Sequence, residues 1–435
     1  MRGLFQTLIL DWKPSIIKVI PYLKEHHSVL FLSVLVMFTL NLFSFNMLFN
    51  RFQSGEFRTG LIISKNDGRQ YDRMSDYLVK EGKFLELYTQ EGYHSSLFYR
   101  GFVFLVALIK KWFGSSWHEV FIFINGFLIC CTVFISSKLL SPNRHVFAVF
   151  LVSILLIVSN LQIINYTWVL LPDLVLAMCV SISFVLVAIG IGKENKQWFI
   201  SGLLIVLLSM FIRPNGIFAV TIILGLCVFW LLPKRKRQLI AVLVPPIIGL
   251  SVFIIVTLLT SLIASDPSLI GSMPPPFNKI LEQMLELNYF GDNIAHETFI
   301  GTLIINFPYK YWIATNGSWP DLVSSMFIRF IRIFELSNPA APKSLNLYNI
   351  VYYTTLFSTF VLYVVSSIRS WSKDSSHMIL LSCFFGYFLI FLSLSMIETR
   401  FLLVFDMIMI IGSAIAIQSL FFMILSSRKK NLILF

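Results

Sequence analysis

The stretch KNDGRQYDRMSDYL, residues 65–78, is a densely charged window in a chain that is otherwise mostly apolar. It contains three carboxylates, Asp67, Asp72 and Asp76, and it follows the first long apolar segment. A well-placed carboxylate can take a proton from an attacking hydroxyl group, which is the task of a general base. The window is therefore a candidate catalytic segment.

Further ionisable residues lie at the ends of later apolar segments. Charge is costly at membrane depth, so such residues are functional candidates by default. Fixed guanidinium groups can stabilise a phosphate that leaves during transfer. The candidates are Arg69 in the same window, Arg100 in YRGF, Asp173 in LLPD, Arg213 in FIRPNG, and Glu398 and Arg400 in ETRF. This set suits an enzyme whose lipid-linked substrate keeps its tail in the bilayer.

Composition determines which elements can position these residues. The chain has 435 residues, is 57% hydrophobic and 13% charged, and contains 43 Phe. Apolar runs of this kind, about 18 residues or longer, indicate an integral membrane protein. The formal net charge of +12 lies in short clusters between apolar runs, which is typical of topology determinants and not of nucleic-acid binding. The five cysteines all lie in apolar runs, so we infer neither a disulfide nor a metal site from them.

The apolar runs predict an all-α polytopic protein with about ten spans, both termini in the cytoplasm and two large outer loops. Residues 97–112 have too short an apolar part for a span and are interpreted as an interfacial or re-entrant helix on the outer side. The predicted spans are 28–49, 119–137, 146–160, 173–191, 198–212, 216–232, 238–263, 349–368, 377–396 and 402–425.

Four parts follow from these spans. They are a cytoplasmic interfacial segment, 1–27; an N-terminal transmembrane module, 28–263, that includes the first outer loop, 50–118; a second outer loop, 264–348; and C-terminal helices with a cytoplasmic tail, 349–435. Basic residues at 138–144, 193–196 and 234–237 then fall on the cytoplasmic side, as the positive-inside rule requires. The candidate residues share the outer side.

Four motifs resemble the GT-C glycosyltransferases, in the branch of protein mannosyltransferases and lipid A aminoarabinose transferases. NDGRQYDRMSDYLVKEGKF is similar to the family's first-loop pattern, in which an acid is followed four residues later by Tyr. YHSSLFYRGFVFLVALIKKWFG resembles the next interfacial helix, although the family often has Pro where Gly101 and Phe102 follow Arg100. GLLIVLLSMFIRPNG and ETRFLLVFDMIMI resemble two later segments. The resemblance covers about residues 28–232 well and the C-terminal part loosely.

The resemblance implies a GT-C-like fold and transfer of a sugar from a polyprenyl-phosphate donor to a cell-surface glycan or lipid-linked acceptor. It implies that Asp67 is the catalytic base and that Arg100, Arg213 and Arg400 bind phosphate or sugar. Tyr71, Arg69 and Asp173 complete the candidate substrate-binding set. The expected partners are this donor, its acceptor and membrane lipids, without nucleic acid. The expected location is a bacterial inner membrane with the active site on the periplasmic or extracellular side, in cell-envelope glycan synthesis.

Several alternatives stay open at this stage. Glu56 and Asp72 are rival bases, although Asp72 and Asp76 are interpreted as the solvated face of the short helix that follows Asp67. No cofactor is assigned; a divalent metal is an open possibility, with His296 and Glu297 as weak ligand candidates. Asp406, inside the last span, is expected to face the interior of the bundle. An O-antigen or polysaccharide polymerase and a lipid-linked sugar flippase are the alternative functions.

Overall fold

The structure is a computed structural model that describes residues 63, 67–82, 99–141, 146–213, 216–228, 232–265, 343–394 and 403–432. The backbone alone is described at 67, 234–235, 256–265, 343–346, 392–394 and 424–432. These ranges are mostly helical and contain no strand. Their helices are α1 Asp67–Glu81, α2 Arg100–Phe113, α3 Trp117–Leu140, α4 Val146–Val158, α5 Leu161–Thr167, α6 Asp173–Gly192, α7 Lys196–Ser209, α8 Gly216–Cys227, α9 Lys234–Ser265, α10 Lys343–Ser370, α11 Ser376–Leu394 and α12 Leu403–Leu432.

The predicted spans from 119 onward each coincide with an apolar helix. Within the described residues, five helical segments are long and apolar enough to cross a membrane, or six if α4 and α5 are one bent span. Helices α7, α8 and α11 are apolar but shorter. These helices fit an integral membrane protein, as the composition predicts. The predicted span 28–49 lies outside the described residues, so the total of ten stays a prediction.

The central element of the bundle is α6, of which 94% is buried inside the protein. It packs against α3, α7, α11 and α12. By contrast, the span 236–255 within α9 is only 17% buried and presents Leu243, Ile247 and Leu250 outward. Apolar residues on both the inner and outer faces of a bundle are what lipid as a solvent requires.

Positively charged loops meet at one end of the bundle. Lys193, just after α6, donates from Nζ to the carbonyl of Leu139 near the end of α3 at 3.2 Å. Gln238 in the first turns of α9 donates from Nε2 to the carbonyl of Gly192 at 3.1 Å. We call this the basic end. The opposite end, where α6 begins, is about 30 Å away because α6 has 20 residues.

Breaks in the helices are satisfied by neighbouring side chains, as a membrane interior demands. Pro246 inside α9 has no N–H with which to bond the carbonyl of Val242. Ser382 of α11 donates its hydroxyl to that carbonyl at 2.6 Å. Gly386 allows the two helices to approach, because a Cβ there would lie 2.4 Å from the carbonyl oxygen of Pro245. The α9–α11 contact is thus built around the proline pair.

Two sharp changes of direction shape the end opposite the basic end. The axes of α4 and α5 differ by 82°, and α4 ends at Val158, close to the predicted end of the span 146–160. Asn160 causes the new start, because its side chain caps α5 by accepting from the Ile163 N–H at 3.0 Å. The second change lies at Gly114, which has φ +53°. There α2 folds back on α3, and the rings of Phe102 and Phe121 come within 6.1 Å.

Candidate functional site

Helices α1 and α2 form one unit at the end where α6 begins. The ring of Tyr71 is 2% exposed and lies 5.6 Å from that of Tyr99 and 5.2 Å from that of Phe102. The Tyr71 ring therefore fixes α1 next to the start of α2, where Arg100 lies. Asp67 is the first residue of α1, one helical turn before Tyr71. The buried Tyr71 ring therefore fixes the helix that Asp67 begins.

The other two acids of the charged window bind a lysine. Lys110 on α2 places Nζ 2.6 Å from Oδ1 of Asp72 and 2.8 Å from Oδ1 of Asp76. Asp76 is exposed, as the sequence predicts, while Asp72 is half-buried. Both carboxylates fasten α1 to α2, a contact that the sequence interpretation did not include. Arg69, a predicted substrate-binding residue, is exposed on α1.

The start of α2 touches the segment that follows α7. The N–H of Gly101 donates to the carbonyl of Phe211 at 2.8 Å. A Cβ at position 101 would lie 2.7 Å from that same oxygen, so the contact requires glycine. Proline could not donate the bond either. The contact brings the Arg100 and Arg213 segments together.

Asp173 and Arg213 form a buried ion pair at the same end. Asp173 begins α6, and Arg213 ends the turn after α7, where its N–H donates to the carbonyl of Ser209. The two residues are only 3% and 7% exposed, and Arg100 is 7% exposed. Helices α6 and α7 are antiparallel, which explains how residues forty positions apart meet. The sequence placed both residues at helix ends but did not pair them.

The electrostatics of this end favour an anion. Arg100, Arg213 and Asp173 bring two positive charges and one negative charge to neighbouring buried positions. The start of α6 adds the positive end of a helix dipole. Arginine is the side chain best suited to bind phosphate oxygens through paired N–H groups. The arrangement can therefore hold a phosphate group.

A second polar cluster lies between α4, α5, α10 and α12. Asp406 is fully buried, as expected for a residue that faces the interior of the bundle. Its Oδ2 accepts from Nδ2 of Asn160 at 3.0 Å and from the hydroxyl of Tyr353 at 3.2 Å. Tyr352 and Tyr348 donate to the carbonyls of Leu156 at 3.0 Å and Ser159 at 2.5 Å. The cluster therefore holds the break between α4 and α5.

The cluster includes residues that the sequence analysis did not select. Asn160 and Tyr353 lie in apolar surroundings, and the available signal was the capping residue Asn160 before the short run LQII. From Asn160 the chain leads through α5 to Asp173. Asn125 holds the far end of α5, since its Nδ2 donates to the carbonyl of Thr167 at 3.1 Å. We call residues 160–172 the ledge.

Several predicted residues lie outside the described part of the chain. They are Arg400, Glu398, the rival base Glu56 and the candidate metal ligands His296 and Glu297. Within the described residues, no group of three or more His, Cys, Asp or Glu side chains could hold a metal ion. The candidate site is thus defined by the α1–α2 unit, the Asp173–Arg213 pair and Arg100.

The chain matches no protein-family model, and no curated protein matches it in sequence.

Proposed function

We propose that this protein is a membrane glycosyltransferase that moves a sugar from a polyprenyl-phosphate donor to a cell-surface glycan or lipid-linked acceptor. The observation that carries the proposal is the backbone bond from Gly101 to Phe211, which joins the segments of Arg100 and Arg213. The buried pair of Arg213 with Asp173 lies at the same place. A cluster of arginines at the end of a lipid-embedded bundle suits a substrate with a phosphate head and a hydrocarbon tail.

In this mechanism each group has a defined task. The carboxylate of Asp67 takes the proton of the acceptor hydroxyl as its oxygen attacks the anomeric carbon of the donor sugar. The bond from that carbon to the phosphate oxygen breaks, and the polyprenyl phosphate leaves with the electron pair. Arg100 and Arg213 stabilise the charge on the departing phosphate. Asp173 holds the Arg213 guanidinium in a fixed orientation, and Arg400 is a further phosphate or sugar contact in the proposal.

The side of the membrane follows from charge. Basic loops gather at one end of the bundle, and the positive-inside rule makes that end cytoplasmic. The site would then face the periplasm or the exterior of a bacterial inner membrane. Glycans at the cell surface are assembled there, which is consistent with a lipid-linked donor and an acceptor at the same face.

The purified protein tests the proposal directly. It is incubated with polyprenyl-phosphate sugars and glycan acceptors, and the consumption of donor is followed. Asp67→Asn should abolish transfer, while Asp76→Asn should retain it because Asp76 is exposed and Asp72 still binds Lys110. Full activity in a folded Asp67→Asn protein would overturn the assignment of the base, and Asp72→Asn then tests the rival. Arg213→Lys should reduce transfer because an ammonium cannot form the same planar contacts.

One observation favours a second candidate, a lipid-linked sugar flippase. Broken helices and buried carboxylates occur in transporters, and the break between α4 and α5 lies beside Asp406. The same preparation distinguishes the two functions. A flippase would move a fluorescent lipid-linked sugar across liposomes without consuming it, whereas a transferase would release the free carrier phosphate.

A further inference from the structure

The C-terminal end of α2 carries the most exposed large apolar side chain in the described part of the protein. Trp112 is 77% exposed and Phe113 is 49% exposed. Leu108 lies one turn before Trp112 on the same face and is also exposed. We call Leu108, Trp112 and Phe113 the tip. Such a contiguous apolar patch is unfavourable in water. It therefore indicates a surface that is covered by a partner or by lipid.

The opposite face of α2 is already used. Phe102, Val103, Val106 and Ile109 are buried against α1, the start of α3 and the ledge. Tyr71 and Trp168 are in this contact. One face of α2 thus packs on the protein, and the other face ends in exposed aromatic residues.

The surface next to the tip is apolar and exposed. Phe123 and Phe127 on α3 are exposed, and their rings stack at 6.5 Å. Both residues lie in Arg100–Leu140, a segment long and apolar enough to cross a membrane that also includes the tip. The tip is joined to this face by the three-residue turn Gly114–Ser116. Lipid or a protein partner that covers the exposed face of α3 would therefore also reach the tip.

The residue types at the tip match the boundary of a bilayer. Trp is enriched where hydrocarbon meets headgroups, and Lys reaches lipid phosphates there. Lys111 is exposed beside Trp112. Lys110 points instead to the protein, where it binds Asp72 and Asp76 and lies 4.6 Å above the ring of Trp117. Lys110 thus binds α1, whereas Lys111 is exposed next to the tip.

We infer that the tip is a membrane anchor: Leu108, Trp112 and Phe113 insert into the leaflet on the site side of the bundle, with Lys111 on a lipid phosphate. The anchor holds the C-terminal end of α2 at the lipid surface, and the Lys110 ion pairs hold α1 to α2. The charged window that begins at Asp67 is then fixed relative to the lipid surface. This inference does not depend on the chemistry proposed above, because it concerns only where the unit lies.

Spin labels test the anchor in the full chain, with the five native cysteines replaced by alanine. Single cysteines at Leu108, Trp112 and Phe113 are labelled in phosphatidylethanolamine–phosphatidylglycerol bilayers. Matched controls are labels at Arg69 and Arg73, which are exposed on α1. The ratio of collisions with oxygen to collisions with a water-soluble nickel chelate should be several-fold higher at the tip than at the controls. Leu108 and Phe113 keep the test valid if the Trp112 variant does not fold.

Two results would overturn the inference. If the tip and control labels show equal access to the nickel chelate, the tip lies in water. If the tip labels are shielded from both reagents and show dipolar broadening between chains, a second copy of the protein covers the tip instead of lipid.

Discussion

Asn160 and Asp406, 246 residues apart in the chain, are joined by a buried hydrogen bond of 3.0 Å from Nδ2 to Oδ2. Asn160 also caps α5 with its Oδ1, so one side chain both starts the ledge and ties it to the last helix. The other donor to Asp406 is the Tyr353 hydroxyl. Asn160, Tyr353 and Asp406 thus link three separate parts of the bundle at the point where the chain changes direction between α4 and α5.

Exchanging the two residues tests this link. Asn160→Ala and Asp406→Ala should each lower the free energy of unfolding by about 1–3 kcal/mol, because buried polar partners lose their bonds. The double exchange Asn160→Asp with Asp406→Asn should restore most of the loss. Asp at 160 can still cap α5, and Asn at 406 can donate back to it. Detergent-micelle unfolding measures the four proteins, and an exchanged protein no more stable than the single variants would contradict the link.

Gly101→Ala should separate α2 from the Arg213 segment. The new Cβ meets the backbone carbonyl of Phe211 at 2.7 Å, and backbone cannot move aside cheaply, so we expect a loss of roughly 1–3 kcal/mol together with reduced transfer activity. Gly225→Ala is the matched control. Its Cβ would lie 2.3 Å from the terminal methyl group of Ile248, and that side chain can rotate away. Equal melting temperatures for the two variants would show that the close approach at Gly101 is unimportant.

The Asp173–Arg213 pair should behave as a buried ion pair. Arg213→Ala leaves a buried carboxylate without its counter-charge, which typically costs about 3–5 kcal/mol. The double variant Asp173→Ala with Arg213→Ala should be more stable than Arg213→Ala alone, because both charges are gone. Both variants should lose transfer activity.

The surface pair of Asp76 and Lys110 provides the control for that comparison. Asp76 is 52% exposed, so Asp76→Ala should change the free energy of unfolding by only about 0–1 kcal/mol. A loss at Asp76 as large as that at Arg213 would mean that burial does not determine the strength of these pairs.

The sequence predicts most of the helices but not which helices pack against each other. Apolar runs of sufficient length give the helices from 119 onward, and the cost of charge in lipid predicts that Asp406 faces inward. The predicted end of the span 146–160 agrees with the end of α4 at Val158, but the helix α5 that Asn160 caps was missed. The pairing of Asp173 with Arg213 was also missed. Helices that are apolar on all sides show no periodic stripe that would indicate which faces meet.

The charged window shows a different limit. Its composition predicts a solvated face, and Asp76 is indeed exposed. The ion pairs of Asp72 and Asp76 with Lys110 could not be read from the window itself, because they depend on how α1 lies on α2. The assignment of Asp67 as the base stays a prediction; the structure adds that Tyr71 is buried between the two helices and that Asp67 begins α1.

The orientation of the bundle gives the last prediction. Asn165 is exposed on α5 in the ledge, and Glu194 is exposed in the turn between α6 and α7 at the basic end. If basic loops are cytoplasmic, a cysteine at Asn165 should react in intact cells with a thiol reagent that cannot cross membranes. A cysteine at Glu194 should react only after the cells are permeabilised. The cysteine-free protein corrects for background, and the reverse labelling pattern would place the Asp173–Arg213 pair on the cytoplasmic side, where a sugar transfer at the outer face could not use it.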